Sequence, residues 1–401
     1  MKILAISNLF PPHCLGGYEI RCQQVSQGLV ARGHSVTILA STQNCAAPVV
    51  EEQDGITVHR TMELLAPFGQ PVEGGRLSPR LLEVARTNHA LARKLIEEIQ
   101  PDLVFAWNQL RLSGGPVRAA REAGCPLAFS LGDENIMNWV PRPFSADLRQ
   151  IAAAILERTL YRQAMVPAGS FRSVQCISEK VKANLIEKGL PIPHARVIYR
   201  GIPLDTFPVK ADPGGVGSPI RLLYVGRLED YKGVHTVFQA LGHMGREEQA
   251  GYRFTLAGDG GQDYRERLAH MAAGLATKTE FLGQVEHASL PAIYRENDVL
   301  LFPSIWDEPF GVTHLEAMAS GTVVISTRGG GQDEFLENGH NALVFKKEDA
   351  SGLAEFLRWT ATQPTEMRQL ARHARQRVEQ DFTYDRYVDE MERFACEAAK
   401  V

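Results

Sequence analysis

Short apolar runs alternate with longer segments of helical period along most of the chain. KILAI at residues 2–6 is followed by EIRCQQVSQGLVARG, whose apolar residues recur at helical spacing, and then by the short run SVTILA. Gly33 lies where this helix has to end, because glycine readily adopts the left-handed conformation of a helix terminus. The pattern is typical of parallel strands joined by crossover helices and predicts an α/β fold.

The same alternation restarts in the second half. Six apolar runs predict strands there: RLLYVG, YRFTLAG, TEFLG, DVLLFPS, TVVIST and NALVF. Between the halves, residues 208–219 concentrate Pro and Gly and are the predicted linker. Residues 383–401 have helical spacing and follow the last strand, so we expect a helix that packs back across the domain junction. The predicted divisions are 1–207, 220–382 and 383–401.

Length and composition agree with two domains. A single core rarely exceeds roughly 250–300 residues, so 401 residues with 44% hydrophobic content should form two globular parts. The first apolar run is too short for a signal peptide, and no window is apolar enough for a spanning helix, so we expect a cytoplasmic protein. The six cysteines lack C-x-x-C or metal-ligand spacing, which favours reduced, mostly buried thiols.

Charge is unevenly distributed. The net charge is −4, but the first half is net basic and the second net acidic, and no nucleic-acid partner is expected. Residues 142–172 interleave apolar residues with arginines at five positions: Arg142, Arg149, Arg158, Arg162 and Arg172. We favour a helix whose apolar face packs into its own domain, and a weak peripheral contact with the inner face of a membrane stays open.

Glycines and cations follow the first strand of each half. Gly16 and Gly17 would let backbone N–H groups approach an anion at the positive end of the first helix. Arg227 and Lys232 follow RLLYVG, and in an open parallel sheet the carboxyl ends of the strands form the ligand edge. A fork-shaped guanidinium and a mobile ammonium suit a diphosphate.

Two carboxylates flank a predicted helix start after DVLLFPS. Glu308 precedes Phe310, Gly311 and Val312, whose amides would be unpaired at the helix N-terminus. Glu316 lies in the otherwise apolar run LEAMA, where an unpaired carboxylate would be costly. Ionised carboxylates accept hydrogen bonds from hydroxyl groups in several directions, so this pair predicts a site for a polyhydroxylated ligand.

These motifs resemble the retaining group 1 glycosyltransferases, family 4, of GT-B fold, and they follow the family's order over essentially the whole chain. The motifs are Gly16-Gly17, Gly226-Arg227, Lys232-Gly233, the G-x-G turn that begins at Gly258, and Glu308-x7-Glu316 with Phe310-Gly311 between. The resemblance implies two Rossmann-like doubly wound parallel-sheet domains that face each other across a cleft. It also implies that the C-terminal helix crosses back to the N-terminal domain.

The resemblance implies site roles as well. Arg227 and Lys232 would hold the diphosphate of a UDP- or GDP-sugar, and Glu316 the ribose. Glu308 and the backbone of residues 310–312 would hold the donor sugar. The sugar would pass, with retention of anomeric configuration, to a hydroxyl of a sugar, a lipid-linked molecule or a small molecule, in polysaccharide or glycoconjugate biosynthesis. The acceptor would lie on the N-terminal domain.

The chain departs from the family's pattern in the N-terminal domain. Gly132 lies where members often carry a histidine, and it is followed by Asp133. Asn108 lies where a His or Asp is also frequent, so Asn108 and Asp133 are candidate site residues and no catalytic histidine is assigned. No D-x-D sequence occurs, so no metal is expected, and Arg227, Lys232 and helix amides would meet the leaving-group charge.

Two rival functions stay open. A nucleotide-sugar epimerase of similar shape would need a base near the sugar instead of an acceptor site, and a non-catalytic nucleotide-sugar-binding protein would bind without transfer. A nucleotide-dependent dehydrogenase is disfavoured, because the turn after the first strand lacks G-x-G-x-x-G.

Overall fold

A computed structural model describes five stretches of the chain: residues 1–13, 17–41, 48–67, 75–107 and 110–401. These form two compact units. Unit 1 comprises Met1–Ile198 and Val388–Val401, and unit 2 comprises Tyr199–Tyr387. Within the described stretches, no helix combines the length and the apolar character needed to cross a membrane.

Unit 1 is built on an eight-stranded sheet. Its strands are β1 (Lys2–Ile6), β2 (Ser35–Ser41), β3 (Val50–Gln53), β4 (Ile56–Met62), β5 (Leu103–Ala106), β6 (Leu127–Leu131), β7 (Ser173–Cys176) and β8 (Arg196–Val197). Their order is β3-β4-β2-β1-β5-β6-β7-β8, and only β3 runs antiparallel to its neighbour. Chain order reverses between β1 and β5, and open α/β sheets bind ligands at such a reversal.

The helices of unit 1 cover this sheet. They are α1 (Gly17–Ala31), α2 (Pro79–Ile99), α3 (Gly115–Glu122), α4 (Leu148–Arg158) and α5 (Glu179–Glu187). The start of α2 shows how sequence fixes a boundary: the Ser78 side chain accepts a hydrogen bond from the Leu81 amide at 3.2 Å, and Pro79 takes the first helical position.

Unit 2 contains a six-stranded, wholly parallel sheet. Its strands are β9 (Ile220–Val225), β10 (Tyr252–Ala257), β11 (Lys278–Gly283), β12 (Val299–Phe302), β13 (Val323–Thr327) and β14 (Leu343–Phe345). The order is β11-β10-β9-β12-β13-β14, so that chain order reverses between β9 and β12. All six strands that the sequence predicted in this half are present.

Eight helices of the described chain begin in unit 2. They are α6 (His235–Gly242), α7 (Arg246–Ala250), α8 (Gln262–Ala273), α9 (Leu290–Glu296), α10 (Val312–Ser320), α11 (Ala350–Thr362), α12 (Pro364–Asp381) and α13 (Tyr384–Ala398). From Val388 onward, α13 belongs to unit 1. There the Phe394 ring lies 5.9 Å from that of Phe105, and Glu392 lies 2.8 Å from the His34 ring.

Residues 208–219, the predicted linker, are packed within unit 2. The Lys210 amide donates to Ser320 O at 3.1 Å and the Gly214 amide to Gly321 O at 2.9 Å. A Cβ on Gly214 would overlap the Met367 carbonyl oxygen. Pro and Gly here permit close backbone contact, and the division between units falls at Ile198, which corrects the predicted boundary at 207.

The orientation of α4 also corrects the prediction. Ala154 and Glu157 are buried, whereas Leu148 is 81% and Ile155 48% exposed. The reason is Glu157, whose carboxylate forms ion pairs with Arg142 at 2.9 Å and Arg76 at 3.3 Å. These pairs hold the side of α4 that carries Glu157 inward, so Leu148 and Ile155 on its other side are exposed.

Candidate functional site

The centre of the candidate site is an ion pair at the reversal of the unit 2 sheet. Lys232 follows β9 and Glu308 follows β12, and Lys232 Nζ lies 2.6 Å from Glu308 Oε1. The Ser304 hydroxyl is 2.8 Å from the same oxygen. Both charged side chains are largely buried, at 12% and 8% exposure. The pair therefore presents a cation and a carboxylate at the ligand edge of the sheet.

Arg227 lies beside the same aromatic ring as Lys232. The Arg227 guanidinium carbon is 5.7 Å and Lys232 Nζ 5.6 Å from the centre of the Tyr231 ring, within the range of cation–π attraction. The Tyr224 hydroxyl donates to Arg227 O at 2.7 Å and fixes the backbone there. Unlike Lys232, Arg227 is exposed. Its side chain is therefore accessible to an anion.

Three loops at the carboxyl ends of neighbouring strands are joined by backbone hydrogen bonds. Tyr231 O, after β9, accepts from the Ile305 amide at 3.0 Å and the Trp306 amide at 3.1 Å, after β12. Glu308 O accepts from the Gly331 amide, after β13, at 2.7 Å. These bonds explain why side chains far apart in sequence are brought together.

The helix after Glu308 begins at Val312, with Gly311 as its N-cap at φ 97°. Phe310 therefore precedes the helix, and its ring is buried at 2% exposure against Tyr199, which corrects the predicted helix opening at Phe310. A buried ring leaves only the backbone of Phe310 to meet a ligand. The first amides of α10 lack intrahelical acceptors and lie at the positive end of its dipole.

Glu316 lies on a buried face of α10. It is 4% exposed, the Tyr294 hydroxyl donates to its Oε2 at 2.9 Å, and the His287 ring lies 3.2 Å from its Oε1. Burial, with the Glu316 charge, raises the pKa of Tyr294 well above its usual range, so that this hydroxyl stays a donor. The sequence did not indicate Tyr294 or His287.

A neutral imidazole lies directly behind the start of α10. His314 Nδ1 is 3.0 Å from Gly311 O and Nε2 is 2.9 Å from Ser326 Oγ. Because a carbonyl only accepts, the proton is on Nδ1 and Nε2 accepts from the serine. Burial, reinforced by the Lys232 charge, lowers the His314 pKa to about 4. His314 was not predicted from the sequence, although a histidine inside an apolar helical run was the signal.

Gly258 has a structural reason to be glycine. Its φ is 154°, and a Cβ there would overlap the Gly226 carbonyl oxygen. The residue lets the end of β10 approach the loop that carries Arg227. Its predicted contact with a ligand stays a prediction.

The predicted residues of unit 1 are only partly described. Gly17 begins α1, whereas Gly16 and Asn108 lie outside the described residues. Asp133 caps its own turn, because its Oδ1 accepts from the Asn135 amide at 2.9 Å. Burial raises the Asp133 pKa.

Four cysteines in the described stretches are free thiols: Cys22, Cys125, Cys176 and Cys396. Cys14 and Cys45 lie outside those stretches. The part of the chain that the structure describes contains no group of three or more His, Cys, Asp or Glu side chains that could hold a metal ion.

Two family models match the chain. Residues 210–377 match the model for glycosyl transferases group 1, and residues 16–201 match the model for a glycosyl transferase 4-like domain. The chain is a glycosyltransferase. The two parallel-sheet α/β units of this glycosyltransferase are of the GT-B type, as the sequence motifs implied.

Relatives cover nearly the whole of this glycosyltransferase. It is 29% identical to a glycogen synthase of Mycobacterium tuberculosis, over 96% of this chain and 92% of the relative. Among solved structures, sucrose-phosphate synthase from Thermosynechococcus elongatus matches with a TM-score of 0.75 and 22% identity, covering 99% of this chain and 98% of the other. Anabaena HepE in complex with UDP and glucose matches with a TM-score of 0.70 and 22% identity, covering 98% of each chain.

Proposed function

We propose that this glycosyltransferase moves a hexosyl group from a nucleoside diphosphate sugar to an acceptor hydroxyl. The observation that carries the proposal is the Lys232–Glu308 pair with Arg227 beside it, at the carboxyl edge where the unit 2 sheet reverses. Two cations and a carboxylate match a ligand that carries a diphosphate at one end and hydroxyls at the other.

Charge stabilisation is the main chemical task in this mechanism. As the bond between sugar and diphosphate breaks, Arg227, Lys232 and the first amides of α10 stabilise the negative charge on the leaving group. Glu308 accepts hydrogen bonds from the sugar hydroxyls. The acceptor hydroxyl attacks the same face of the sugar and gives its proton to the departing phosphate, so the anomeric configuration is retained, as in family 4.

Glu316 is proposed to hold the ribose. Tyr294 and His287 fix its carboxylate from behind, which leaves further lone pairs for ribose hydroxyls. UDP-glucose is the first donor to test, because HepE was solved with UDP-glucose, UDP and glucose. A sugar or sugar phosphate is the first acceptor to test, in view of the sucrose-phosphate synthase and glycogen synthase relatives.

The two cations are tested by substitution. We expect Arg227→Ala and Lys232→Ala each to cut turnover by on the order of a hundredfold, as loss of one charge-stabilising donor commonly does. Lys278→Ala is the matched control, because Lys278 is exposed at the opposite, amino end of β11. Turnover is measured as UDP release that depends on acceptor. Full activity in both cation variants would overturn the assignment.

Two further assays separate the alternatives. We propose that no metal takes part, so activity should survive a chelator, whereas loss that Mg²⁺ restores would refute this. Donor incubated without acceptor should give no interconverted sugar, whereas an epimerase would produce one. A protein that binds donor but neither hydrolyses nor transfers it would be the non-catalytic alternative.

We also propose that the exposed face of α4 contacts an anionic membrane surface. Leu148 and Ile155 on α4 are 81% and 48% exposed, and Leu160, just after the helix, is 54% exposed. The exposed cations Arg149 and Arg158 lie among them, and the Arg158 guanidinium lies 4.6 Å from the exposed Phe144 ring. Each inserted apolar side chain contributes about 1.5–3 kcal/mol and each cation near anionic lipid about 1 kcal/mol.

Vesicle co-sedimentation tests this surface. We expect binding to phosphatidylglycerol-rich vesicles at low salt, none to neutral vesicles, and loss of binding in Leu148→Asp. Leu148 is already exposed, so the substitution should leave stability unchanged. Ile186→Asp, at an apolar residue on α5 that is 40% exposed, is the matched control and should still bind. No binding by the unmodified protein at low salt would end the membrane proposal.

A further inference from the structure

One buried arginine of unit 1, Arg21, has no hydrogen-bond acceptor among the residues that the structure describes. Arg21, in the second turn of α1, is 2% exposed, and its Nε, Nη1 and Nη2 are all buried without a partner in the part of the chain that the structure describes. A buried guanidinium normally pairs with a carboxylate or with carbonyls, because leaving its donors unsatisfied costs several kcal/mol. This arrangement is typical of a charge kept for a ligand.

The neighbours of Arg21 orient the guanidinium without neutralising it. Its central carbon lies 4.7 Å from the Tyr18 ring centre and 5.2 Å from that of Trp107. Cation–π contacts of this kind hold a guanidinium in place. They do not use its N–H groups, which lie in the guanidinium plane and can still donate hydrogen bonds. Asp133 is a nearby acidic residue, but its carboxylate accepts from Asn135 and forms no ion pair with Arg21 among the described residues.

Gly132 is the residue that faces the terminal nitrogens. A Cβ at this position would lie 3.1 Å from Arg21 Nη2 and 3.2 Å from Nη1. A larger side chain would therefore cover both donors. Glycine therefore places no side chain over the guanidinium fork on this side.

Further donors without acceptors lie at the same edge of the sheet. Ser7 Oγ and Asn8 Nδ2, directly after β1, are buried and unpartnered in the described chain. Trp107 follows β5, and its amide donates to Ile6 O at 2.8 Å, so the ends of β1 and β5 lie side by side. This is the reversal point of the unit 1 sheet, and the positive end of the α1 dipole adds to its attraction for an anion.

We propose that Arg21 binds an oxyanion carried by the acceptor, either a carboxylate or a phosphate monoester. The guanidinium would donate two parallel hydrogen bonds to two oxygens of that group. The inference rests on the proposed function and on the expectation from the sequence that the acceptor lies on the N-terminal domain, which is unit 1. It adds that the acceptor is anionic and that Arg21 selects it.

Binding of simple probes tests the proposal. In calorimetric titration we expect glucose 6-phosphate and glucuronate to bind the protein more tightly than glucose does. Arg21→Gln should lower the affinity for the two anionic probes by about 10- to 100-fold and leave the affinity for glucose unchanged. Arg21→Lys keeps the charge but lacks the forked guanidinium, so its affinity for the anionic probes should lie between those of the unmodified protein and Arg21→Gln. Arg32→Gln is the control, because Arg32 lies at the other end of α1 and is paired with Asp389 and Glu392.

Thermal melting tests whether Arg21 has a purely structural role. Arg21→Gln removes an unpaired buried charge, so the free variant should melt at the same or a higher temperature than the unmodified protein. A lower melting temperature, with equal affinity for all three probes in both proteins, would show that Arg21 only packs.

UDP binding and donor turnover are measured in parallel. If both persist in Arg21→Gln while no probe discriminates, the anion site is refuted and the proposed function survives. If neither UDP nor GDP binds the unmodified protein, the proposed function fails. A defect of Arg21→Gln confined to UDP-glucuronate as donor would place the anion on the donor sugar and overturn the assignment to the acceptor.

Discussion

Lys232 and Glu308 satisfy each other's charge at a distance of 2.6 Å. Two desolvated charges gain little net stability from such pairing, whereas either one alone would be strongly destabilising. In the proposed mechanism the diphosphate competes for Lys232 and the sugar hydroxyls for Glu308. The pair therefore holds both groups in position before the donor arrives, and donor binding exchanges one set of charge-assisted hydrogen bonds for another.

Replacing His314 should change how stability depends on pH. The folded chain keeps this imidazole neutral, with a pKa of about 4, while the unfolded chain binds a proton near pH 6.5. The folded state should therefore lose stability as the pH falls from 6.5 towards 4, by about 1.4 kcal/mol per unit and roughly 3 kcal/mol in all. Urea unfolding at pH 7 and pH 5 measures the loss.

His314→Gln isolates this contribution. The variant should lose some stability at pH 7, because glutamine replaces one of the two hydrogen bonds of His314 imperfectly. Its stability should fall less between pH 7 and pH 5 than that of the unmodified protein, since one proton-linked group is gone. An equal fall in both proteins would mean that His314 is protonated in the folded state.

The position of individual side chains could be predicted from the sequence where the topology of the sheet fixes that position. Arg227, Lys232 and Glu308 were expected at one edge because the carboxyl ends of parallel strands coincide. The direct contact of Lys232 with Glu308, 76 positions away, depends on loop conformations that no local pattern encodes. Arg21 was missed for another reason: a single cation within an amphipathic helix is normally a surface residue.

At the scale of elements, periodicity located strands and helices but not the surface that each one covers. The run KILAI is strand Lys2–Ile6, and all six runs of the second half are strands. Helix α4 was oriented wrongly because amphipathicity shows that two faces differ, not which face packs. Glu157 fixes its orientation through ion pairs with Arg142, in the segment before the helix, and with the distant Arg76. The segment 208–219 was misassigned because Pro and Gly also occur where backbones pack closely.

Gly258→Ala should disturb the contact between β10 and the loop after β9. The new Cβ would overlap the Gly226 carbonyl oxygen, and φ 154° is unfavourable for alanine, so the loop that carries Arg227 has to move. We expect a loss of about 1–3 kcal/mol in stability and weaker UDP binding. Urea unfolding and calorimetric titration measure the two effects.

Gly242→Ala is the control for this substitution. Gly242 is the last residue of α6, and a Cβ there would meet no atom within 4 Å. Alanine is the better helix former, so this variant should be unchanged or more stable by up to about 1 kcal/mol. Equal stability and equal UDP binding in the two variants would show that the close approach of Gly258 to Gly226 has no role.

For the whole molecule, the last residues of the chain complete the fold of its first part. Val388, Met391 and Ala395 are fully buried in unit 1, although the residues before them in α13 belong to unit 2. The sequence indicated this, because the final helix follows the last predicted strand and has no strand of its own to cover. Burial of that apolar face stabilises unit 1 by several kcal/mol in total, at about 1.5–3 kcal/mol for each large side chain.

Phe394→Ala should therefore destabilise unit 1 rather than the unit that precedes it in sequence. Phe394 is 4% exposed and its ring lies 5.9 Å from that of Phe105 in β5, so truncation should cost about 3–5 kcal/mol. Hydrogen exchange followed by mass spectrometry should show faster exchange in peptides from β1 and β5 than in the unmodified protein. Peptides from β9 and β12 should be unchanged, because local stability follows local packing. Glu397→Ala, on the same helix and 54% exposed, should leave both sets unchanged. Faster exchange in β9 and β12 alone would contradict the assignment of this segment to unit 1.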